Sequence, residues 1–262
     1  MPQYIRTIPA LLLALAAGAC TREEPIVEVK GSCADVFSAQ VCTWARTRGT
    51  TLVEAGAVVP IASIENAPAE QPMAWPPAAA AEIDMPAPVL QQAGLTQLTM
   101  YWEPHGHPPG PFMTPHFDFH FYTIPAAERA AMDCHDLSKP ANLPAGYDLP
   151  DIPLPPEMLP MMGVSTLVGA CVPQMGMHAL PLSDIQRQDA FGGSMVVGYY
   201  QGTPVFIEPM ISKAMLLQKQ SFDLAIPDIP GLLGMHPTVF HAEYDAARQA
   251  YRFTFSGFTG AT

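Results

Sequence analysis

Apolar and polar side chains alternate strictly in one segment near the middle of the chain. Residues 116–122 read His-Phe-Asp-Phe-His-Phe-Tyr, and this period of two residues is the pattern of a β-strand. Successive side chains of a strand point to opposite faces, so the three phenylalanines share one face and the two histidines share the other with the aspartate. Phenylalanine buries a large apolar area, so we expect the phenylalanine face to lie in the core.

Shorter patterns elsewhere predict further elements. Residues 95–102 read as a strand, and residues 125–133 read as a short helix. Two hairpins are predicted, from segments 195–200 and 203–208 around Gln201-Gly202 and from segments 238–244 and 250–256. Together these elements predict a mainly β fold, an antiparallel sandwich or small barrel with one or two short helices and long Pro-rich loops.

The N-terminus has the pattern of an export signal. The apolar run from Ile8 to Ala17 is shorter than the about 20 residues of a membrane-spanning helix, but it fits the core of a secretory signal. The following Ala17-Gly18-Ala19-Cys20 resembles the lipobox of bacterial lipoproteins, which implies cleavage before Cys20 and lipid attachment to its thiol. An ordinary signal peptide with a chance cysteine is the alternative. We expect a protein on the periplasmic side of a bacterial cell envelope, held to the membrane by its lipid alone.

Four further cysteines bear on the redox compartment. They are Cys33, Cys42, Cys134 and Cys171. In an exported protein four cysteines suggest two disulfides, with three possible connectivities. Cys33 and Cys42 are close enough in sequence to close a small loop, which would leave Cys134 to pair with Cys171. The chain has no CxxC motif, which disfavours a thioredoxin-like protein or a zinc ribbon.

The charge balance excludes one class of partner. The chain has 12 Lys and Arg residues against 24 Asp and Glu residues, a formal net charge of −12. Nucleic acid is a polyanion that so acidic a chain would repel, so we expect no nucleic-acid partner. A homo-oligomer remains open. The chain also lacks the GxSxG, GxxxxGK[ST] and GxGxxG motifs of common hydrolases and nucleotide-binding proteins.

The polar face of the 116–122 strand is a candidate cation site. His116, Asp118 and His120 offer imidazole and carboxylate groups, which suit zinc, copper, nickel or iron. Neighbours on one face are about 6.6 Å apart, whereas the two histidines are about 13 Å apart and reach one ion only if the strand curves. Ligands from elsewhere are therefore expected, with Asp118 orienting an imidazole or acting as an alternate ligand. The plain alternative is the solvated side of an antiparallel sheet.

Two later segments offer further ligands. His178 follows the Gly-containing turn of Gln174-Met175-Gly176-Met177, and Glu208 stands at the end of a strand that Pro209 is expected to stop. His105 and His107 are loop histidines near the expected mouth of the site, and like Asp118 they are expected to orient a ligand or to act as alternate ligands. Zinc is the expected metal and copper the alternative. A copper(I) site made of Met175, Met177 and His178 is a weaker interpretation, because methionine is more often core filler.

Three segments, 111–122, 172–178 and 199–210, together resemble a bacterial family of exported domains of unknown function whose characterised members are described as cation-binding. The resemblance covers about residues 95–256. It implies metal ligands at His116, His120, His178 and Glu208 and supplies no settled reaction. The Ala/Pro-rich stretch at 65–90 has no counterpart in it.

These observations predict three regions. A lipoprotein signal peptide is expected at 1–19, a lipidated tether and Ala/Pro-rich arm at 20–93, and a β-rich metal-binding domain at 94–262. The arm includes residues 65–90, which read as a linker or as an extended segment packed on the domain. The chain has 30 prolines, about twice the usual share of roughly 5%, and so many helix breakers exclude a long-helix architecture.

Three functions follow from this sequence. The first is a non-catalytic metal-binding lipoprotein of the envelope, and the second is a metal-dependent lyase or hydrolase with an open coordination position. The third is a purely structural lipoprotein with two disulfides. Four protein ligands around one ion would favour binding alone, whereas three ligands beside a cavity would favour catalysis.

Overall fold

The computed structural model describes residues 24–232 and 234–260. The predicted signal peptide and the lipidation site Cys20 lie outside these residues. The strands are β1 (Ile26–Val36), β2 (Ala39–Arg48), β3 (Thr51–Pro60), β4 (Ala81–Asp84), β5 (Gln97–Glu103), β6 (His116–Tyr122), β7 (Tyr147–Asp148), β8 (Ile152–Pro153), β9 (Thr166–Leu167), β10 (Met177–Pro181), β11 (Gly193–Tyr200), β12 (Thr203–Ser212), β13 (Phe222–Ala225), β14 (Val239–Asp245) and β15 (Ala250–Ser256).

Helices in the described part of the chain are short, and the longest α-helix has seven residues. None of them combines the length and the apolar character that crossing a membrane requires. The α-helices are α1 (Ile61–Glu65), α2 (Ala87–Ala93), α3 (Ala126–Ala130), α4 (Leu159–Met162), α5 (Leu182–Ile185) and α6 (Lys213–Leu216). Single 3₁₀ turns lie at Gly110–Phe112, Pro156–Met158 and Val168–Ala170.

Two antiparallel sheets pack face to face. The first has the strand order β1-β2-β3-β15-β14-β13, and the second has the order β4-β5-β6-β12-β11-β10-β7. Strands β8 and β9 form a separate two-stranded ribbon. Each large sheet ends in edge strands, so the described residues form a sandwich and no closed barrel, which confirms the predicted mainly β fold class.

The phenylalanine face of β6 lies in the core between the sheets, as the alternation predicts. Phe119 meets Phe253 of the opposite sheet with ring centroids 4.9 Å apart, and Phe121 meets Phe255 at 4.8 Å. Both contacts are edge-to-face, the geometry that aromatic quadrupoles favour. The opposite face of β6, with its histidines and aspartate, therefore points away from the core of the sandwich.

Both predicted hairpins form, as β11–β12 and β14–β15. The expectation that Pro209 stops its strand is wrong, because β12 continues to Ser212. Pro209 pairs with Met195 in the ladder to β11, while the ladder to β6 passes from the Ile207–Phe121 pair to the Met210–Asp118 pair. A proline lacks the backbone N–H that a ladder hydrogen bond needs. The β12–β6 ladder has no pair at Pro209 and resumes at Met210.

The folded unit begins with β1 and not near Gly94, which corrects the expected tether at 20–93. Strands β1, β2 and β3 form half of the first sheet, and β3 pairs with β15. Residues such as Val41 and Val59 are fully buried in the core. The Ala/Pro-rich stretch packs on the domain, the second of its two expected forms: Trp102 Nε1 donates to the carbonyl of Pro68 at 2.8 Å.

Candidate metal centre

The polar face of the second sheet is buried. His116 is 0% exposed, Asp118 5% and His120 1%, so this face is no solvated side of an antiparallel sheet. Strand β5 adds Tyr101 and Glu103, which pair with Asp118 and His116 across the ladder. The face therefore concentrates titratable groups in a place where water is largely excluded.

A cavity of about 410 Å³ lies over this face. One wall comes from the Ala/Pro-rich stretch around Trp75, and another from the long loop between β7 and β10. Most of the lining is apolar and includes seven methionines, whereas the polar lining includes Asp118, His178 and Glu208. An apolar chamber with a few convergent polar groups is typical of a ligand site.

His120, His178 and Glu208 come together, and we refer to them as the first triad. His120 Nε2 lies 3.3 Å from Glu208 Oε2 and 3.4 Å from His178 Nε2. The β12–β6 register places Glu208 opposite His120, because Ile207 pairs with Phe121 and Met210 pairs with Asp118. Ligands bound to tetrahedral zinc at 2.0–2.1 Å are about 3.3 Å from one another, which is the spacing found here.

The ring of His178 is held by the backbone. Its Nδ1 lies 2.9 Å from the carbonyl oxygen of Ala170, and since a carbonyl only accepts, Nδ1 carries the proton and Nε2 is free to bind a cation. Cys171 follows Ala170 directly and forms the disulfide to Cys134. The Cys134–Cys171 disulfide therefore restrains the segment that orients His178.

Phe206 packs beside both imidazoles of the first triad. Its ring centroid lies 4.5 Å from that of His120 and 5.2 Å from that of His178. Gly198 makes room for this ring, because a Cβ at Gly198 would lie 2.0 Å from Phe206 Cε1. Gly198 therefore leaves space for the Phe206 ring, and this ring packs against the imidazoles of His120 and His178.

Burial opposes charge on each member of the first triad in the metal-free protein. It lowers the pKa of His178 to about 4 and that of His120 well below its ordinary value. Burial, with the nearby Asp118 carboxylate, raises the pKa of Glu208 well above its ordinary value. The pKa shifts of His120 and Glu208 both oppose an ion pair between them, despite their short distance. Glu208 Oε2 and His120 Nδ1 are both buried without a hydrogen-bond partner.

His116 lies in a different group, with His107 and Asp118, which we refer to as the second triad. His116 Nε2 lies 3.3 Å from Asp118 Oδ1, and His107 Nε2 lies 4.0 Å from Asp118 Oδ2. The predicted ligand set is thus divided between two groups. His120 lies with His178 and Glu208, whereas His116 lies with His107 and Asp118. Asp118 and His107, expected to orient or replace a ligand, complete the second group.

Carboxyl groups around the second triad have displaced pKa values. Burial raises the pKa of Asp118 well above its ordinary value, and the neighbouring Glu103 adds to this. Burial also raises the pKa of Glu103 to about 7 and that of the Tyr101 hydroxyl to about 12. The pKa of His116 is lowered well below its ordinary value by burial and by His107.

Other predicted residues lie elsewhere. His105 is on the surface, with Nε2 2.8 Å from Glu70 Oε2. Met177 packs in the core between the sheets, on the opposite face from His178, so the copper(I) set does not assemble. Both predicted disulfides form, Cys33–Cys42 and Cys134–Cys171.

The sequence interpretation missed the contribution of β5. Gln97, Thr99, Tyr101 and Glu103 alternate with Leu98, Met100 and Trp102, the same period of two that marks β6. That alternation predicts a second polar row on the site face, and the ladder confirms it by pairing Thr99 with His120. Arg129 was also missed: it is buried, and its Nε donates to Gln97 Oε1 at 3.0 Å.

No protein-family model, curated protein or solved structure matches the chain. The resemblance to exported cation-binding domains therefore stays a prediction. The function is therefore inferred from the geometry and the chemistry of the two triads.

Proposed function

We propose that the protein binds a divalent cation through His120, His178 and Glu208. One observation carries the proposal: Nε2 of His120 lies 3.3 Å from Glu208 Oε2 and 3.4 Å from His178 Nε2. That spacing matches tetrahedral zinc ligands, which are about 3.3 Å apart. Glu208 Oε2 is buried and has no hydrogen-bond partner. Such an atom costs about 1–3 kcal/mol, and a bound cation would remove that penalty.

Two imidazoles and one carboxylate limit the choice of metal. Zinc, iron(II), nickel and copper(II) accept this ligand set, whereas magnesium and calcium prefer oxygen alone. We propose zinc, with copper as the alternative. The hydrogen bond from His178 Nδ1 to the Ala170 carbonyl supports a metal role, because most metal-bound imidazoles donate their other N–H in this way.

The cellular setting is part of the proposal. The lipobox-like Ala17-Gly18-Ala19-Cys20 supports lipid attachment and an envelope location. Two disulfides support an oxidising compartment, since they form and persist in exported proteins. The protein would then hold its cation on the periplasmic side of a bacterial membrane.

A second candidate function is metal-dependent catalysis as a lyase or hydrolase. It is favoured by the number of ligands, because the first triad offers three protein ligands and lies against a cavity of about 410 Å³. Zinc with three protein ligands and an open fourth position lowers the pKa of a bound water to about 7. Glu103 also lines the cavity, and burial raises its pKa to about 7.

Metal analysis of the tag-free protein tests the proposal. We expect His178→Ala and His120→Ala to lose zinc from the first triad, whereas His135→Ala, whose side chain is 89% exposed, should retain it. Glu208→Gln keeps the shape of the side chain and separates loss of a ligand from loss of the fold. Thermal unfolding of each variant checks that it remains folded. Unchanged zinc content in all three triad variants would reject the site.

A further inference from the structure

The second triad is built from strand β6, which also carries His120 of the first triad, and from a loop that the first triad does not use. His116 and Asp118 belong to β6, and His107 comes from the loop that follows β5. That loop is anchored: the His107 N–H donates to the carbonyl of Phe112 at 3.2 Å, and Phe112 is fully buried. Gly106 has φ +67°, and a Cβ there would lie 2.1 Å from the Phe112 carbonyl oxygen.

Both imidazoles of this triad present the same ring nitrogen. His116 Nδ1 lies 2.7 Å from the carbonyl oxygen of Thr114, and His107 Nδ1 lies 2.9 Å from that of Pro108. Carbonyl oxygens only accept, so each Nδ1 carries a proton and each Nε2 keeps a free lone pair. The two Nε2 atoms face the carboxylate of Asp118, at 3.3 Å and 4.0 Å.

Two of the three facing groups hold buried atoms without partners. His116 Nε2 and Asp118 Oδ1 make no hydrogen bond although they are 3.3 Å apart. The side chain of His116 is 0% exposed and that of Asp118 is 8% exposed, so bulk water does not satisfy them. A cation between them would accept the lone pairs of both.

We propose that His107, His116 and Asp118 form a second divalent-cation site, so that the protein holds two cations side by side. Asp118 and His120 are two residues apart on β6, so their Cα atoms are about 6.6 Å apart. The two triads share no ligand residue, so they are two sites and not one carboxylate-bridged metal pair. Asp118 of the second triad and His178 and Glu208 of the first line the same cavity, so one ligand in that cavity can reach both cations.

The donor set defines the cation class. Two imidazoles and a carboxylate select a borderline transition metal such as zinc or iron(II) over magnesium or calcium. His107 is the most exposed ligand, at 40% of its side chain. The second site is therefore the more accessible of the two and is expected to exchange its cation faster than the buried first triad.

Zinc titration by calorimetry, with zinc content measured after dialysis, tests the second site in the full chain. We expect two zinc ions per chain in the unmodified protein, one in His107→Ala, one in His178→Ala and none in the double variant. Asp118→Asn keeps the side-chain shape and should also bind one. His135→Ala serves as the control and should bind two.

The outcomes separate the two proposals. A single zinc ion lost in His178→Ala and retained in His107→Ala would overturn the second site and leave the first intact. A single ion lost only in His107→Ala would overturn the first. One ion weakened by both substitutions would mean a single shared site, and two ions retained in His107→Ala would mean that the second ion binds elsewhere; both results overturn the second triad.

Discussion

The charged form of Glu208 is disfavoured by the metal-free fold and would be required for binding a cation. Its pKa lies above the ordinary value of 4.5, because burial and the Asp118 carboxylate penalise the ionised form. Between that ordinary value and the raised value, the folded protein retains a proton that the unfolded chain has lost. The contribution of Glu208 to the free energy of unfolding is therefore fully present below about pH 4.5 and is lost as the pH rises through the pKa of the folded protein.

Glu208→Gln should stabilise the metal-free protein at pH 8 by about 1–3 kcal/mol, because the amide is neutral without the proton that Glu208 must take up on folding. At pH 4 the gain should vanish, since Glu208 is then protonated. With excess zinc the order should reverse, because the variant lacks a ligand. Chemical denaturation at both pH values, with and without zinc, measures these differences.

The exposed Glu243→Gln serves as the control and should change stability little at either pH. A Glu208→Gln variant equally stable at pH 4 and pH 8, or stabilised by zinc as much as the unmodified protein, would contradict a buried carboxylate ligand.

Residue patterns predicted the type of ligand better than its grouping. The alternation in β6 fixed which side chains share a face, because a strand has a strict period of two. Nothing in that alternation tells whether His116 and His120 meet one ion or two. Their separation into two triads depends on His107, in the loop after β5, and on His178, in β10, and the positions of both depend on tertiary packing.

At the level of elements, two disulfides fasten different parts of the fold. Cys33–Cys42 joins paired residues of the β1–β2 hairpin, with a sequence separation of 9. Cys134–Cys171 has a sequence separation of 37 and fixes the segment that carries Ala170, the acceptor for His178 Nδ1. Only the second bridge is connected to the candidate site.

Replacing both Cys134 and Cys171 with serine should lower the free energy of unfolding by about 4 kcal/mol, from the loop-closure entropy of the unfolded chain. Zinc affinity at the first triad should fall by about 10-fold, the usual effect of disturbing the partner of a metal-bound imidazole. Denaturant unfolding and zinc titration measure the two effects separately.

The matching change of Cys33 and Cys42 to serine is the control for that experiment. Its shorter loop should cost about 3 kcal/mol and leave zinc affinity unchanged, because the hairpin lies in the other sheet. Equal losses of zinc affinity in both double variants would mean that general destabilisation, and not His178 orientation, causes the effect.

At the scale of the whole molecule, the sequence predicted the fold class. It placed the start of the folded domain near Gly94, whereas the domain starts with β1. The β14–β15 hairpin was predicted because its turn and alternation are local signals. The role of β1–β3 was not, because they join β15 across almost 200 residues of chain, and such pairing leaves no local signal.

A chain that starts at Gly94 tests this correction. It would lack β1–β4, and the core side chains of β15 and β6, including Phe253 and Phe119, would lose the neighbours that bury them. The remaining edge of β15 would also expose unpaired backbone groups that favour aggregation. We expect no cooperative thermal transition and no zinc binding, whereas a chain that starts at Glu24 should show both. The first triad lies wholly after Gly94, so a shortened chain that still melts cooperatively and binds zinc would show that β1–β4 are dispensable for the site.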